Sequence, residues 1–191
     1  MYYEGMSSAT TIPVGTTTNY LPVTLTPSST SNFTIAVFQG ITSQGTINGT
    51  PLTTVQKQTV VDAVWNINRL SGTGSSNLQL NWVAGLEGST FATLANTDIG
   101  IIYNTGSSYT QPIGAGDNTA NTASATISSF GAYAIGSVPL TQPFIFNALP
   151  AKTYGNADFN GGATSLNTTQ PIVYTSNNPL VATIVAATYI L

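Results

Sequence analysis

The 191-residue chain contains no cysteine and no histidine. The first absence excludes disulfides, thiolate nucleophiles, iron–sulfur clusters and every cysteine-based zinc site. The second removes the commonest general acid/base near neutral pH and the commonest metal ligand. Most catalytic templates fail at this step, and the chain is expected not to be an enzyme. Charge is scarce as well: charged residues make up 5% of the sequence, against about 25% in an ordinary soluble domain. Three basic residues, Lys57, Arg69 and Lys152, cannot neutralise a run of phosphates or hold an anionic membrane, which excludes nucleic acid as a natural partner. A net charge of -3 gives little repulsion between copies, so self-association meets a low electrostatic barrier. No stretch approaches the roughly 18 uninterrupted apolar residues of a membrane span, and the first residues lack the basic and apolar regions of an export signal. A soluble chain without membrane insertion is expected, either a mature form or a fragment.

What remains is 41% hydrophobic, with much of the rest Thr, Ser, Asn and Gly. Short runs of Val, Ile, Thr, Tyr and Phe are separated by Gly, Pro, Asn and Ser clusters, the pattern of an antiparallel β-sandwich. The expected fold is all-β, a Greek-key, jelly-roll or Ig-like sandwich over residues 1–137. A linker at 138–143 and a partial Ig-like β domain at 144–191 follow. Pro22 to Thr26 and Asn32 to Phe38 read as a first strand pair, with Phe33, Ile35 and Val37 on one face by the two-residue period. The Gly-rich stretch Gln39 to Thr53 reads as a loop with no part in the core, followed by one helical turn from Thr54 to Thr59. Thr59 to Leu70 and Asn77 to Val83 read as a hairpin turning through Ser71 to Ser76, with Trp65 opposite Trp82 and Ile67 opposite Leu80. Leu86 to Leu94 reads as a short helical or turn element. Ile99 to Tyr103 is apolar on both faces, which predicts a buried strand. Gly106 to Asn118 reads as loop, and Ala123 to Ser128 and Ala132 to Ile135 as two strands bent around Phe130 and Gly131.

In the second part, the residues from Pro143-Phe-Ile-Phe-Asn147 through Lys152-Thr-Tyr-Gly-Asn-Ala-Asp-Phe159 precede a stretch from Pro171 to Thr183 that contains Tyr174-Thr-Ser-Asn-Asn178. This resembles the opening half of a bacterial Ig-like repeat. Val60-Val-Asp-Ala-Val-Trp-Asn-Ile-Asn68 and Leu86-Glu-Gly-Ser-Thr-Phe91 are similar to β-rich modules that precede such repeats in large secreted surface proteins of the Bacteroidetes kind. The resemblance implies export, often by a type IX route, an extracellular location at the cell surface, and work as an adhesin, stalk or matrix component.

Several residues invite a functional reading. Glu4, Asp62, Glu87, Asp98, Asp117 and Asp158 are scattered, whereas glycosidase chemistry needs two carboxylates flanking one bond. Asp117-Asn118 and Asn156 with Asp158 carry oxygens suited to calcium, but turn-forming residues are the favoured reading. Trp65 and Trp82, with Tyr103 and Tyr109, suit stacking on sugar rings, although their alternation places the tryptophans in a core. Gly114 and Gly116 read as turn glycines, since no Gly-Lys-Ser or Gly-Lys-Thr follows them. The C-terminal strand Leu180 to Leu191 is apolar on both faces. Leu180, Val181, Ile184, Val185, Tyr189, Ile190 and Leu191 are therefore candidates for a strand given to a neighbouring copy, with Tyr2 to Val14 as the other candidate donor. These features lead to a structural surface module, joined head-to-tail to copies of itself or to neighbouring domains. The rival expectation is a module that binds carbohydrate or a host surface through loops at one end of the sandwich.

Overall fold

The alternation in the sequence becomes two five-stranded antiparallel sheets in the computed structural model, which describes residues 1–137 and, beyond them, 145–146, 151, 153, 155, 157, 159–164, 174–180, 183–185 and 188–190. The fold is an all-β sandwich, as expected. The chain divides into two compact units, Met1–Leu140 and Thr141–Leu191. Among the described residues no helix is long and apolar enough to cross a membrane.

In the first unit, one sheet (sheet A) contains β1 (Tyr2–Met6), β4 (Ser31–Gln39), β5 (Ala63–Ser71), β10 (Gly131–Ser137) and β7 (Ile99–Tyr103), in the spatial order β1-β4-β5-β10-β7. The other (sheet B) contains β2 (Thr10–Ile12), β3 (Val23–Pro27), β6 (Ser76–Asn81), β9 (Thr122–Ile127) and β8 (Ala115–Asp117), in the order β2-β3-β6-β9-β8. The two orders match position by position: β1 leads to β2, β3 to β4, β5 to β6, β7 to β8 and β9 to β10, each step crossing from one sheet to the other. The longer strands in this way bring their apolar faces to one shared interior, where Val23, Leu25, Leu78 and Leu80 of sheet B join Phe33, Ile35, Trp65 and Ile67 of sheet A.

This topology corrects two expectations: β3 and β4 are not paired, and β5 and β6 are not a hairpin. The two strands bent around Phe130 and Gly131, β9 and β10, are likewise divided between the sheets. Trp65 lies opposite Val37 and Tyr133, and Leu80 opposite Val23 and Ala123. A hairpin would set the two apolar faces side by side in one sheet, with both still needing cover. Crossing sets them face to face, and each covers the other. The crossings stack on one another. Ser28 N–H donates to the Ser75 carbonyl at 3.0 Å, and Ser29 Oγ donates to the Thr73 carbonyl at 2.6 Å. Gly72, at φ +99°, leaves no room for a side chain against Thr30 and Ser31. Arg69 closes the same end: its guanidinium lies 4.3 Å from the Phe130 ring centre and donates to the Gly74 carbonyl at 2.6 Å. Phe130 in turn packs on Phe33 at 5.6 Å.

The glycine-rich excursion after β4 has a core role, contrary to expectation. It folds over one end of the outer face of sheet A, where Ile41 (0% exposed) and Val60 bury Val64, Ile102 and Ala134, with Phe38, Leu52 and Tyr109 around them. Asp62 holds its start, accepting from Ile41 N–H at 2.8 Å while paired with Lys57 at 2.9 Å. Asn104 Nδ2 donates to the Ser43 carbonyl at 2.9 Å and fastens its middle to the end of β7. The helical turn α1 (Thr54–Lys57) lies within the expected range, capped reciprocally by Thr53 and Gln56. Short 3₁₀ turns at Ala84–Leu86 and Phe91–Thr93 occupy the stretch expected to be helical or turn, and bury Leu86 and Phe91.

β7 is buried on both faces, as its composition predicted. Its outer edge is covered by residues 109–113, where Ile101 and Ile113 exchange two hydrogen bonds of 2.9 Å. The chain then turns at Gly114 (φ +76°), where an added Cβ would run into the Ser124 carbonyl, and enters sheet B as β8. The stretch expected to be loop is thus a seam joining the sheets along one side. The opposite side ends in β1, which carries Glu4 and a register shift between Tyr3 and Met6, and in β2, followed at once by Pro13. A charge, a bulge and a proline each discourage pairing with another chain.

Of the second unit, the described strands are short: β11 (Ile145–Phe146) pairs with β13 (Ala163–Thr164), and β15 (Thr188–Ile190) lies between β12 (Phe159–Asn160) and β14 (Thr183–Val185). The single strand expected from Leu180 to Leu191 is instead a pair, with Ile184 opposite Tyr189. Doubling back lets part of the apolar run find its cross-strand partner within the chain. The linker expected at 138–143 lies outside the described residues.

Candidate functional site

The outward-facing residues of sheet B are polar wherever the strand is long. By ladder partner they form two rows, Thr11–Thr24–Gln79–Ser124 and Thr26–Asn77–Thr126. The inward neighbours Leu25, Leu78 and Ala125 are buried, so the period of two fixes the direction of every side chain in these rows. Toward β8 the outward side chains shrink to Ser124, Ala115 and Gly114, and the face sinks into a trough of about 530 Å³. That volume is in the range of small-molecule sites, about 300–1,000 Å³. Its polar lining is uncharged: Thr24, Thr26, Asn77, Gln79, Ser124 and Thr126. Two contacts order it, Thr126 Oγ1 donating to Asn77 Oδ1 at 2.8 Å and the hydroxyls of Thr11 and Thr24 meeting at 3.0 Å.

Thr126 also lines a second cleft of about 370 Å³, formed with Tyr103, Thr110, Ile113, Ile127 and Tyr133 where the seam meets the end of β9. Tyr103 packs against Tyr133 at 5.2 Å between ring centres and donates to the Phe130 carbonyl at 3.4 Å. Burial raises the Tyr133 phenol above its ordinary range, and its hydroxyl donates to the Ser129 carbonyl. Ile113 is 41% exposed at the mouth.

The structure sorts the residues singled out from the sequence. Trp65 and Trp82 are core residues: Trp65 Nε1 donates to the Leu21 carbonyl at 3.1 Å, and Trp82 Nε1 to Glu87 Oε1 at 2.7 Å. Tyr109 packs into the second core, where burial pushes its phenol up to about 12 against the opposing pull of the Asn104 amide. Tyr103 alone of the four aromatics lines a cleft. Asp117 Oδ1 accepts from Thr119 and Ala120 N–H at 2.9 and 3.0 Å, which holds its carboxyl below the usual range. Asn118 N–H donates to Asn96 Oδ1 at 2.8 Å, and its side-chain Nδ2 donates to the Phe91, Ala92 and Leu94 carbonyls at 3.3–3.4 Å. Both residues organise a turn. Among the described residues, no group of three or more acidic side chains is placed to hold a metal. Asn156 and Asp158 lie outside the described residues.

Of the candidate assembly strand, Leu180 is 99% exposed. Ile184 and Val185 lie in β14, Tyr189 and Ile190 in β15, and Val181 and Leu191 lie outside the described residues. Tyr2 to Val14, the other candidate donor, supplies β1 and β2 to its own sandwich. The trough was missed in the sequence, although its signal was present: the polar positions of β3, β6 and β9 are all uncharged and hydrogen-bonding. No family model, curated protein or solved structure matches this chain.

Proposed function

We propose that this chain is a structural module of an extracellular surface protein, a link in an adhesin or fibre that joins copies of itself or neighbouring domains. The observation that supports it most is the way the first unit seals itself. Crossings tie sheet to sheet at each position, a second core covers one end of an outer face, and the edges are blunted by a seam, a charge, a bulge and a proline. Such a block resists strand exchange and suits a spacer whose work is mechanical. Joining to the next module then falls to the second unit, whose strands β14 and β15 have three residues each. The near-neutral surface adds little repulsion between neighbours.

The test is light scattering after size exclusion, with negative-stain microscopy, on the full chain and on a chain lacking residues 180–191. Head-to-tail oligomers that disappear with the deletion are expected. Equal assembly in both chains contradicts strand complementation through the second unit, and a strictly monomeric full chain contradicts self-assembly.

A further inference from the structure

We infer that the trough on sheet B, together with the adjoining Tyr103 cleft, binds an uncharged glycan chain. The inference is independent of how modules assemble, since the site lies wholly within the first unit.

The lining sets the ligand's chemistry. Hydroxyls and carboxamides donate and accept hydrogen bonds without carrying charge. A charged ligand seated among them would lose hydration and find no counter-charge, an unfavourable exchange. A hydroxyl-rich neutral ligand exchanges water hydrogen bonds for equivalent ones. Asn77 is already oriented for this: its Oδ1 accepts from Thr126, so both amide protons are turned to other partners. Gln79 and Ser124 stand beside each other on adjacent central strands.

The second cleft supplies what a sugar ring needs besides hydroxyl partners. Pyranose rings have an apolar C–H face, and Tyr103 with the exposed Ile113 offers an apolar wall next to the polar trough. Thr126 lines both depressions, so one residue marks where they meet. A chain of several sugars would place one ring at Tyr103 and successive rings along the trough. The trough is carried on β3, β6 and β9, neighbouring strands of one sheet, so little ordering accompanies binding there. A second copy of this chain is a poorer occupant, because sheets that pack face to face use apolar inner faces.

The experiment is a titration of the ¹⁵N-labelled full chain with neutral soluble polysaccharides (laminarin, mannan, xylan and dextran), with alginate as the charged control. Amide shifts are followed on Asn77, Gln79, Ser124 and Thr126. At least one neutral polymer is expected to shift these signals, and alginate is not. Q79A and N77A should each weaken binding about tenfold, the loss of one or two good hydrogen bonds, with the remaining spectrum unchanged. Y103L, which keeps an apolar side chain, should weaken it several-fold. If no neutral polymer shifts the trough signals, or if the shifts map elsewhere and survive N77A and Q79A, the inference is overturned. Stronger binding of alginate overturns the assignment to an uncharged ligand.

Discussion

The two outer faces of the sandwich are each built from five antiparallel strands, yet they end differently. On sheet A the outward positions Phe38, Val64, Ile102 and Ala134 are apolar, and the excursion through Ile41 and Val60 covers them. On sheet B the outward positions are Thr, Ser, Asn and Gln, and the face is bare. The difference teaches that a glycine-rich stretch can be a wall as well as a turn: what decides is whether the strands beneath it have a second apolar face to bury.

The comparison can be broken by substitution. Trp65→Ala in the shared interior should cost about 3–5 kcal/mol by urea unfolding of the full chain, and sets the scale for the rest. Ile41→Ala should cost about 2–4 kcal/mol if the excursion is core; a value under about 0.5 kcal/mol, the usual effect at an open surface, would return it to loop status. Arg69→Ala, which removes the cation over Phe130, should cost about 1 kcal/mol, and Arg69→Lys should recover part of it. On the bare face, Gln79→Ala should change stability by less than about 0.5 kcal/mol, because that residue points away from the core, between Thr24 and Ser124.

The smallest expected effect concerns pH. The folded pKa of Asp117 is lowered by the Thr119 and Ala120 N–H groups. Its stabilising contribution is therefore complete above the unfolded carboxyl value of about 3.9 and is lost as pH falls through the lower folded value. The stability difference between the parent and Asp117→Ala should accordingly be present at pH 6 and vanish near pH 2, as read from thermal melts.

Much of this was legible in the residues. The segments of β3 to β7, β9 and β10, the interior faces of β4, β5 and β6, and the burial of Ile99–Tyr103 follow from the two-residue period, because a side chain's direction is local information. Which strands pair is not local. A short turn such as Ser71 to Ser76 serves a hairpin and a crossing alike, and only the mutual cover of two apolar faces favours the crossing. β8 escaped for a related reason: Ala115-Gly-Asp117 has little strand preference of its own, and it is a strand because β9 and the turn at Gly114 hold it there. The trough escaped because its residues are ordinary one by one and become a site only when three strands align them.

The most direct test of the contrast between the faces is the relaxation of methyl signals by a soluble gadolinium chelate in the labelled full chain. The methyls of Ile41, Val64 and Ile102 should be as protected as those of Ile35 and Ile67 in the central interior, while those of Thr11 and Thr126 relax strongly. Equal relaxation of the Ile41, Val64 and Thr126 methyls would mean that both faces are bare, and would contradict the account.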